Sequence, residues 1–149
     1  VIGFPHTTNM DTVRALALFN ILNRKTNTLI KKELFFWPLS TVLNAVGGLP
    51  IDRQQSQNLV QNMINEFNQR EQFTLVLAPE GTRGKDSQKK GIKTGFWHIA
   101  KGANVPIVLM LADNANKRGR FLGKIIPTEL ETDLETIYRL YAEAGVDIR

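Results

Sequence analysis

Two apolar runs of strand length, FTLVLAP (73–79) and VPIVLMLA (105–112), stand on either side of a polar loop and a short helical segment, GFWHIAKGA (95–103). Continuous runs of this kind read as strands buried on both faces, and strands so buried belong to sheets whose crossovers are helices. The rest of the chain repeats the alternation. VIGF reads as a buried strand ending at Pro5, followed by a helix from about Met10 to Asn23 with Thr8 or Asn9 at its cap. TNTLIKK is a short strand, and FFWPLSTVLNAVGG a helix with Pro38 near its start and paired glycines at its end. LPIDR is a brief extended piece. Leu59, Val60, Met63, Ile64 and Phe67 then recur at helical spacing. EGTRGKDSQKKGIKTG reads as a loop, RFLGKIIP as a further strand and ETDLETIYRLYAEA as a final helix.

The expected fold is α/β: a single domain over residues 1–149, with a central mostly parallel or mixed sheet flanked by helices. In such sheets ligands collect beyond the carboxyl ends of the strands. PHTTNMD and PEGTRGK each follow an apolar strand, so parallel strands would bring both motifs to one edge.

A chain of 149 residues can bury a sizeable core. No run of about 18 or more uncharged apolar residues is present to span a bilayer as a helix, and no signal-peptide pattern is visible. The chain opens on Val rather than Met, with its first residues already strand-like, so upstream sequence is expected. Cysteine is absent, which excludes disulfides, zinc–thiolate sites and thiol nucleophiles within this chain and fits a cytosolic protein. The net charge of +5 is unevenly placed. Residues 83–101 carry Arg83, Lys85, Lys89, Lys90, Lys93 and Lys101 against Asp86, whereas residues 129–149 are mostly acidic. The basic segment is either a solvated loop or a face for an anionic partner.

Residues five apart on a helix differ by roughly 140° in direction, so His6 and Asp11 meet only if His6 precedes the helix. At a strand-to-helix turn, Asp11 in the first helical turn can accept a hydrogen bond from one ring nitrogen of His6. That fixes the tautomer and leaves the other nitrogen free to take a proton from a substrate hydroxyl. The plainer alternative is a first-turn aspartate beside an unrelated loop histidine. In APEGTRGK, Gly81 allows a sharp turn with accessible amides, and Arg83 offers a planar fork for two phosphate oxygens. His98, between Trp97 and Ile99, reads as a partly buried, satisfied histidine. Phe96, Trp97, Phe35, Phe36 and Trp37 read as core, as an acyl groove or as a lipid-interface contact. Three adjacent rings in FFWP are not expected all to face inward.

Taken together and in order, HTTNMD (6–11), GGLPIDR (47–53), PEGTR (79–83) and VPIV (105–108), with KKEL (31–34), resemble the glycerophospholipid acyltransferase family, in particular its bacterial lysophosphatidic acid acyltransferases. The resemblance implies His6 as general base and Asp11 as its orienting partner. It also implies that Glu80, Gly81, Thr82 and Arg83 hold the acceptor, with Arg83 on its phosphate. Arg53 and Lys32 would add positive charge to the same pocket, Lys31 being an equal candidate for Lys32. Asp52 and VPIV would be structural. The chain departs from the family pattern at Pro5, Ala78, Gly84 and Leu109 and lacks the usual apolar N-terminal helices.

The implied reaction moves a fatty acyl group from a thioester, acyl-CoA or acyl carrier protein, to the hydroxyl of a phosphate-bearing glycerolipid such as lysophosphatidic acid. No bound cofactor or metal is expected, the thioester being a co-substrate, and no nucleic-acid partner. The expected location is cytoplasmic, peripheral at the inner face of the membrane. Backbone amides near Thr7 to Asn9 would stabilise the oxyanion. The alternatives are an acyl thioesterase, with water as acceptor, or a non-catalytic module binding anionic lipid or nucleic acid through its lysines.

Overall fold

The computed structural model describes residues 2–3, 25–45, 47–51, 56–78, 92–113 and 118–148. Their strands are β1 (Ile2–Gly3), β2 (Asn27–Lys31), β3 (Gly48–Ile51), β4 (Leu75–Leu77), β5 (Ile107–Asp113) and β6 (Arg118–Ile125). Their α-helices are α1 (Leu39–Ala45), α2 (Ser56–Gln69), α3 (Gly95–Gly102) and α4 (Leu130–Glu143), with a 3-10 turn at Lys32–Leu34. The predicted helix from Met10 to Asn23 lies outside the described residues.

The strands form one sheet in the order β3-β2-β4-β1-β5-β6. β3, β2, β4, β1 and β5 run parallel, and β6 is antiparallel to β5. The expected α/β architecture with a mixed sheet is therefore observed. β4 explains the continuous apolar run of FTLVLAP: Leu75 and Val76 are both buried, although they point to opposite faces. Pro50 sits on the edge strand β3, where a missing amide donor is tolerated.

The core gathers Leu75 of β4, Ile107 and Leu109 of β5, Phe96, Trp97, Ile99 and Ala100 of α3, and Ile137 and Tyr141 of α4. Met63 brings the apolar stripe of α2 onto the same cluster, with Leu59, Val60 and Phe67 half-buried beside it. Phe67 and Phe73 meet edge to face at 4.7 Å and close the turn from α2 into β4. Of VPIV, Ile107 and Val108 open β5 as the expected structural strand, whereas Val105 and Pro106 precede it. Leu109, where the family pattern has proline, pairs with Gly3 on one side and Gly123 on the other. An interior proline there would lack its ladder donor.

FFWPLSTVLNAVGG is helical only over Leu39–Ala45, shorter than expected. Trp37 precedes a proline and is thereby disfavoured in the helical region. The helix begins at Leu39, after the rings of FFWP, and the Ser40 amide bonds the Phe36 carbonyl at 2.8 Å across its first turn. Phe36 and Trp37 are exposed rather than core. The chain then reverses at Gly47, whose φ is +79°. The Gly47 carbonyl accepts the Thr28 amide at 3.0 Å and the Asn27 side chain at 3.2 Å, joining this turn to β2. A Cβ at Gly47 would run into the Thr26 carbonyl oxygen.

A buried polar corner joins α3 to α4. The Trp97 indole N–H donates to Asp133 Oδ2 at 2.8 Å. The Thr128 amide donates to the same oxygen at 2.7 Å, and the Thr128 hydroxyl donates to Oδ1 at 3.2 Å. Lys101 donates to the Thr128 carbonyl at 2.8 Å, with its ammonium 5.8 Å from the centre of the Trp97 ring. Burial pushes the Asp133 carboxyl up. The hydrogen bonds from Trp97 and Thr128 and the Lys101 charge outweigh it and hold the group below the usual carboxylate range.

These contacts set two expectations for stability. Asp133→Asn should cost about 1–3 kcal/mol at pH 7, because it removes an ionised acceptor from a buried corner. The folded pKa of Asp133 lies below its unfolded value, so its contribution is complete at neutral pH and is lost as pH falls through the folded pKa. The gap between native and variant in urea denaturation should therefore narrow below about pH 4; an equal gap at pH 7 and pH 3 would remove the charge from the explanation. Gly47→Ala should cost at least about 1–3 kcal/mol from backbone strain alone. Gly145→Ala, at φ +85° with open space around the added carbon, should cost less in the same measurement.

Candidate active site

Parallel pairing decides where the motif segments leave the sheet. β1 pairs with β4 in the register Ile2 to Val76 and Gly3 to Leu77. PHTTNMD begins two residues beyond Gly3, and PEGTR two residues beyond Leu77. β2 pairs with β3 through Lys31 and Ile51, so Lys32 and Arg53 also follow strand ends at this edge. The strands that these segments follow in sequence lie in the order β3, β2, β4, β1.

The strand order makes one position on this edge special. The chain leaving β1 next enters the sheet at β2, beyond β4. The chain leaving β4 later enters at β5, beyond β1. Neighbouring parallel strands whose connections depart in opposite directions form a topological switch point, the crevice where open α/β sheets bind ligands. HTTNMD and PEGTR follow the two strands that flank it.

Lys32 is the predicted site residue among the described ones. It opens the 3-10 turn directly after β2 and is exposed, and its carbonyl accepts the Phe35 amide at 2.9 Å. His6, Asp11, Arg53, Glu80, Gly81, Thr82 and Arg83 lie outside the described residues, as do Asp52 and Gly84. His98 is exposed rather than partly buried; its ring meets Trp97 edge-on at 5.2 Å, on a helix whose buried face is formed by Phe96, Trp97, Ile99 and Ala100.

The basic run is not one uniform face. Lys101 is engaged in the corner with Thr128 and Trp97. Lys93 is exposed. The acidic character of the C-terminal stretch is likewise divided, since Asp133 is buried and Glu131 lies in the first turn of α4, where a negative charge favours the helix dipole. The sequence carried no local signal for this corner. Trp97 and Asp133 are 36 residues apart and meet only in the folded chain.

Residues 1–111 match the family described as Acyltransferase. The chain belongs to this family. It is 32% identical over 117 residues to the 1-acyl-sn-glycerol-3-phosphate acyltransferase of Salmonella typhimurium, covering 76% of this chain and 46% of that protein. The enzyme of the same name from Escherichia coli K12 is 32% identical over 117 residues, covering 75% and 46% respectively. That of Limnanthes douglasii is 31% identical over 107 residues, covering 65% and 37%. The chain thus spans about half the length of the bacterial relatives, or less. The crystal structure of the 1-acyl-sn-glycerophosphate (LPA) acyltransferase PlsC from Thermotoga maritima superposes with a TM-score of 0.62 at 17% identity, over 97% of this chain and 63% of that one. This likeness establishes the glycerolipid acyltransferase fold for the acyltransferase family member described here.

Proposed function

We propose that this chain carries the catalytic centre of a 1-acylglycerol-3-phosphate acyltransferase. It would transfer a fatty acyl group from a thioester, on coenzyme A or acyl carrier protein, to the hydroxyl of lysophosphatidic acid, giving phosphatidic acid. The observation that carries this reading is the pairing of β1 with β4, which starts HTTNMD and PEGTR from adjacent strand ends at the switch point. The names of the relatives support the substrate class.

In the proposed step, His6 takes the proton of the acceptor hydroxyl while the Asp11 carboxylate holds the ring in the required tautomer and stabilises the imidazolium. The alkoxide oxygen attacks the thioester carbonyl, forming the new C–O bond. The oxyanion is met by backbone amides of Thr7 to Asn9. The C–S bond then breaks and the thiolate takes the proton from His6. Glu80, Gly81, Thr82 and Arg83 orient the acceptor, with the Arg83 guanidinium on its phosphate. Arg53 and Lys32 add positive charge. Positioning must supply most of the acceleration, because general-base help typically contributes about 10²- to 10⁴-fold.

His6→Ala should lower the transfer rate by about 10²- to 10⁴-fold without altering the unfolding transition. Activity is measured as thiol release and as phosphatidic acid formed. An undiminished rate in the folded variant refutes the base assignment. Thiol release that needs no lipid acceptor identifies a thioesterase instead. Arg83→Ala should raise the acceptor KM by roughly 10- to 100-fold, the scale of a charged hydrogen bond, and leave the donor KM nearly unchanged. Equal effects on both would take Arg83 off the phosphate.

A further inference from the structure

Six large hydrophobic residues are exposed among the described ones: Leu34, Phe36, Trp37, Val42, Phe121 and Ile126. Four of them fall within residues 34–42, and Trp37 is 84% exposed. Leu34 closes the 3-10 turn, Phe36 and Trp37 lie between that turn and α1, and Val42 stands one helical turn beyond Pro38. This stretch leaves the sheet directly after β2, at the edge from which the motif segments depart. Four exposed apolar side chains therefore lie within nine residues of chain that follow β2, the neighbour of β4 in the sheet.

The charge of the sequence segments that follow β2 and β4 is positive. Glu33 is the one acid within residues 31–45, against Lys31 and Lys32. The segment after β4, residues 79–93, carries Arg83, Lys85, Lys89, Lys90 and Lys93 against Glu80 and Asp86. Aromatic rings beside cations match the headgroup region of an anionic bilayer, where indole and phenyl rings sit at the polar boundary and lysines meet phosphate. A second copy of the chain docking by this face would bring like charges together across an isologous contact. An acyl groove would enclose the Trp37 ring, which instead stands almost wholly in solvent. Among the described residues no helix is long and apolar enough to cross a membrane, so contact through this surface would lie in the interface plane.

We infer that Leu34, Phe36, Trp37 and Val42 form the face by which this chain docks on an anionic phospholipid bilayer, presenting the candidate site to acceptor held in that bilayer. The second clause rests on the acyltransferase reading; the first stands on the exposed patch and its flanking charge.

The test is binding of the chain to phosphatidylglycerol vesicles, with phosphatidylcholine vesicles in parallel, followed by sedimentation and tryptophan emission. The chain has two tryptophans, and Trp97 is buried, so quenching by brominated lipid reports on Trp37. Brominated phosphatidylglycerol should quench the native emission more strongly than brominated phosphatidylcholine. The double variant Phe36→Ser with Trp37→Ser should lose vesicle partition roughly tenfold, since two large apolar side chains no longer leave water. Absence of quenching, or a double variant that binds equally well, overturns the proposal. So does a self-associated native species that the double variant dissociates, which would assign the face to a second copy.

Activity separates this proposal from the reaction it serves. With a dispersed short-chain lysophosphatidic acid as acceptor, the double variant should match the native rate, while losing roughly tenfold with acceptor embedded in vesicles. A variant that also fails with the dispersed acceptor places the rings in substrate binding and overturns the docking assignment. If the native chain transfers acyl groups to neither acceptor, the acyltransferase reading fails by itself, and quenching alone decides the docking face.

Discussion

The two-residue pairing between β1 and β4 governs where everything else lies. β1 is inserted between β4 and β5, so that Ile2 faces Val76 on one side and Val108 on the other. β4 is buried on both faces, and burying a strand without pairing its amides and carbonyls would cost more than the apolar contact returns. The ladder is therefore obligatory, and it fixes register as well as adjacency. A slip of one residue would turn every side chain of β4 to the opposite face. Because the strands are parallel, the same pairing sends HTTNMD and PEGTR off one edge. The adjacency of the two strand ends is thus set by backbone hydrogen bonds in the core.

Most of the strands and helices were legible because their sequence signals are local. The run in FTLVLAP and the stripe from Leu59 to Phe67 each report burial through spacing alone, and each forms the expected element. Failures came where a distant partner or a backbone restriction decides. FFWP reads as helical because it adjoins the helix-forming run LSTVLNA, yet Pro38 keeps Trp37 out of the helix, and Phe36 and Trp37 stand in solvent. His98 alternates with buried neighbours but falls on the outer side of a short helix. Strand order was not legible at all, since insertion of β4 between β2 and β1 is a non-local choice. For the site, the sequence supplied both motifs, and the folded sheet supplies the switch point between their strands.

Formal charge was similarly informative only in part. Asp133 and Lys101 appear in the sequence as members of an acidic and a basic stretch. In the fold both are drawn into the corner around Trp97 and Thr128, where they fasten α4 to α3. Tyr141 adds a second tie between α4 and the sheet, donating its hydroxyl to the Met110 carbonyl at 3.1 Å. These contacts serve stability.

The order of strands along that edge also bears on how an amphiphile could be held. The apolar patch follows β2, the proposed phosphate clamp follows β4, and the proposed base follows β1. Neighbouring strands lie about 4.8 Å apart, so the departures of patch and base are separated by roughly 10 Å with the clamp between them. That is the scale of a glycerol phosphate headgroup, not of an acyl chain. A lysophospholipid gripped at its phosphate beyond β4 could present its hydroxyl toward the β1 side while its tail remains on the side of the proposed docking patch. Drawing the lipid fully into the protein would forfeit that contact between tail and membrane. If the proposed function and docking face both hold, the acceptor would react at the interface, and only its headgroup would need to leave the plane of its neighbours.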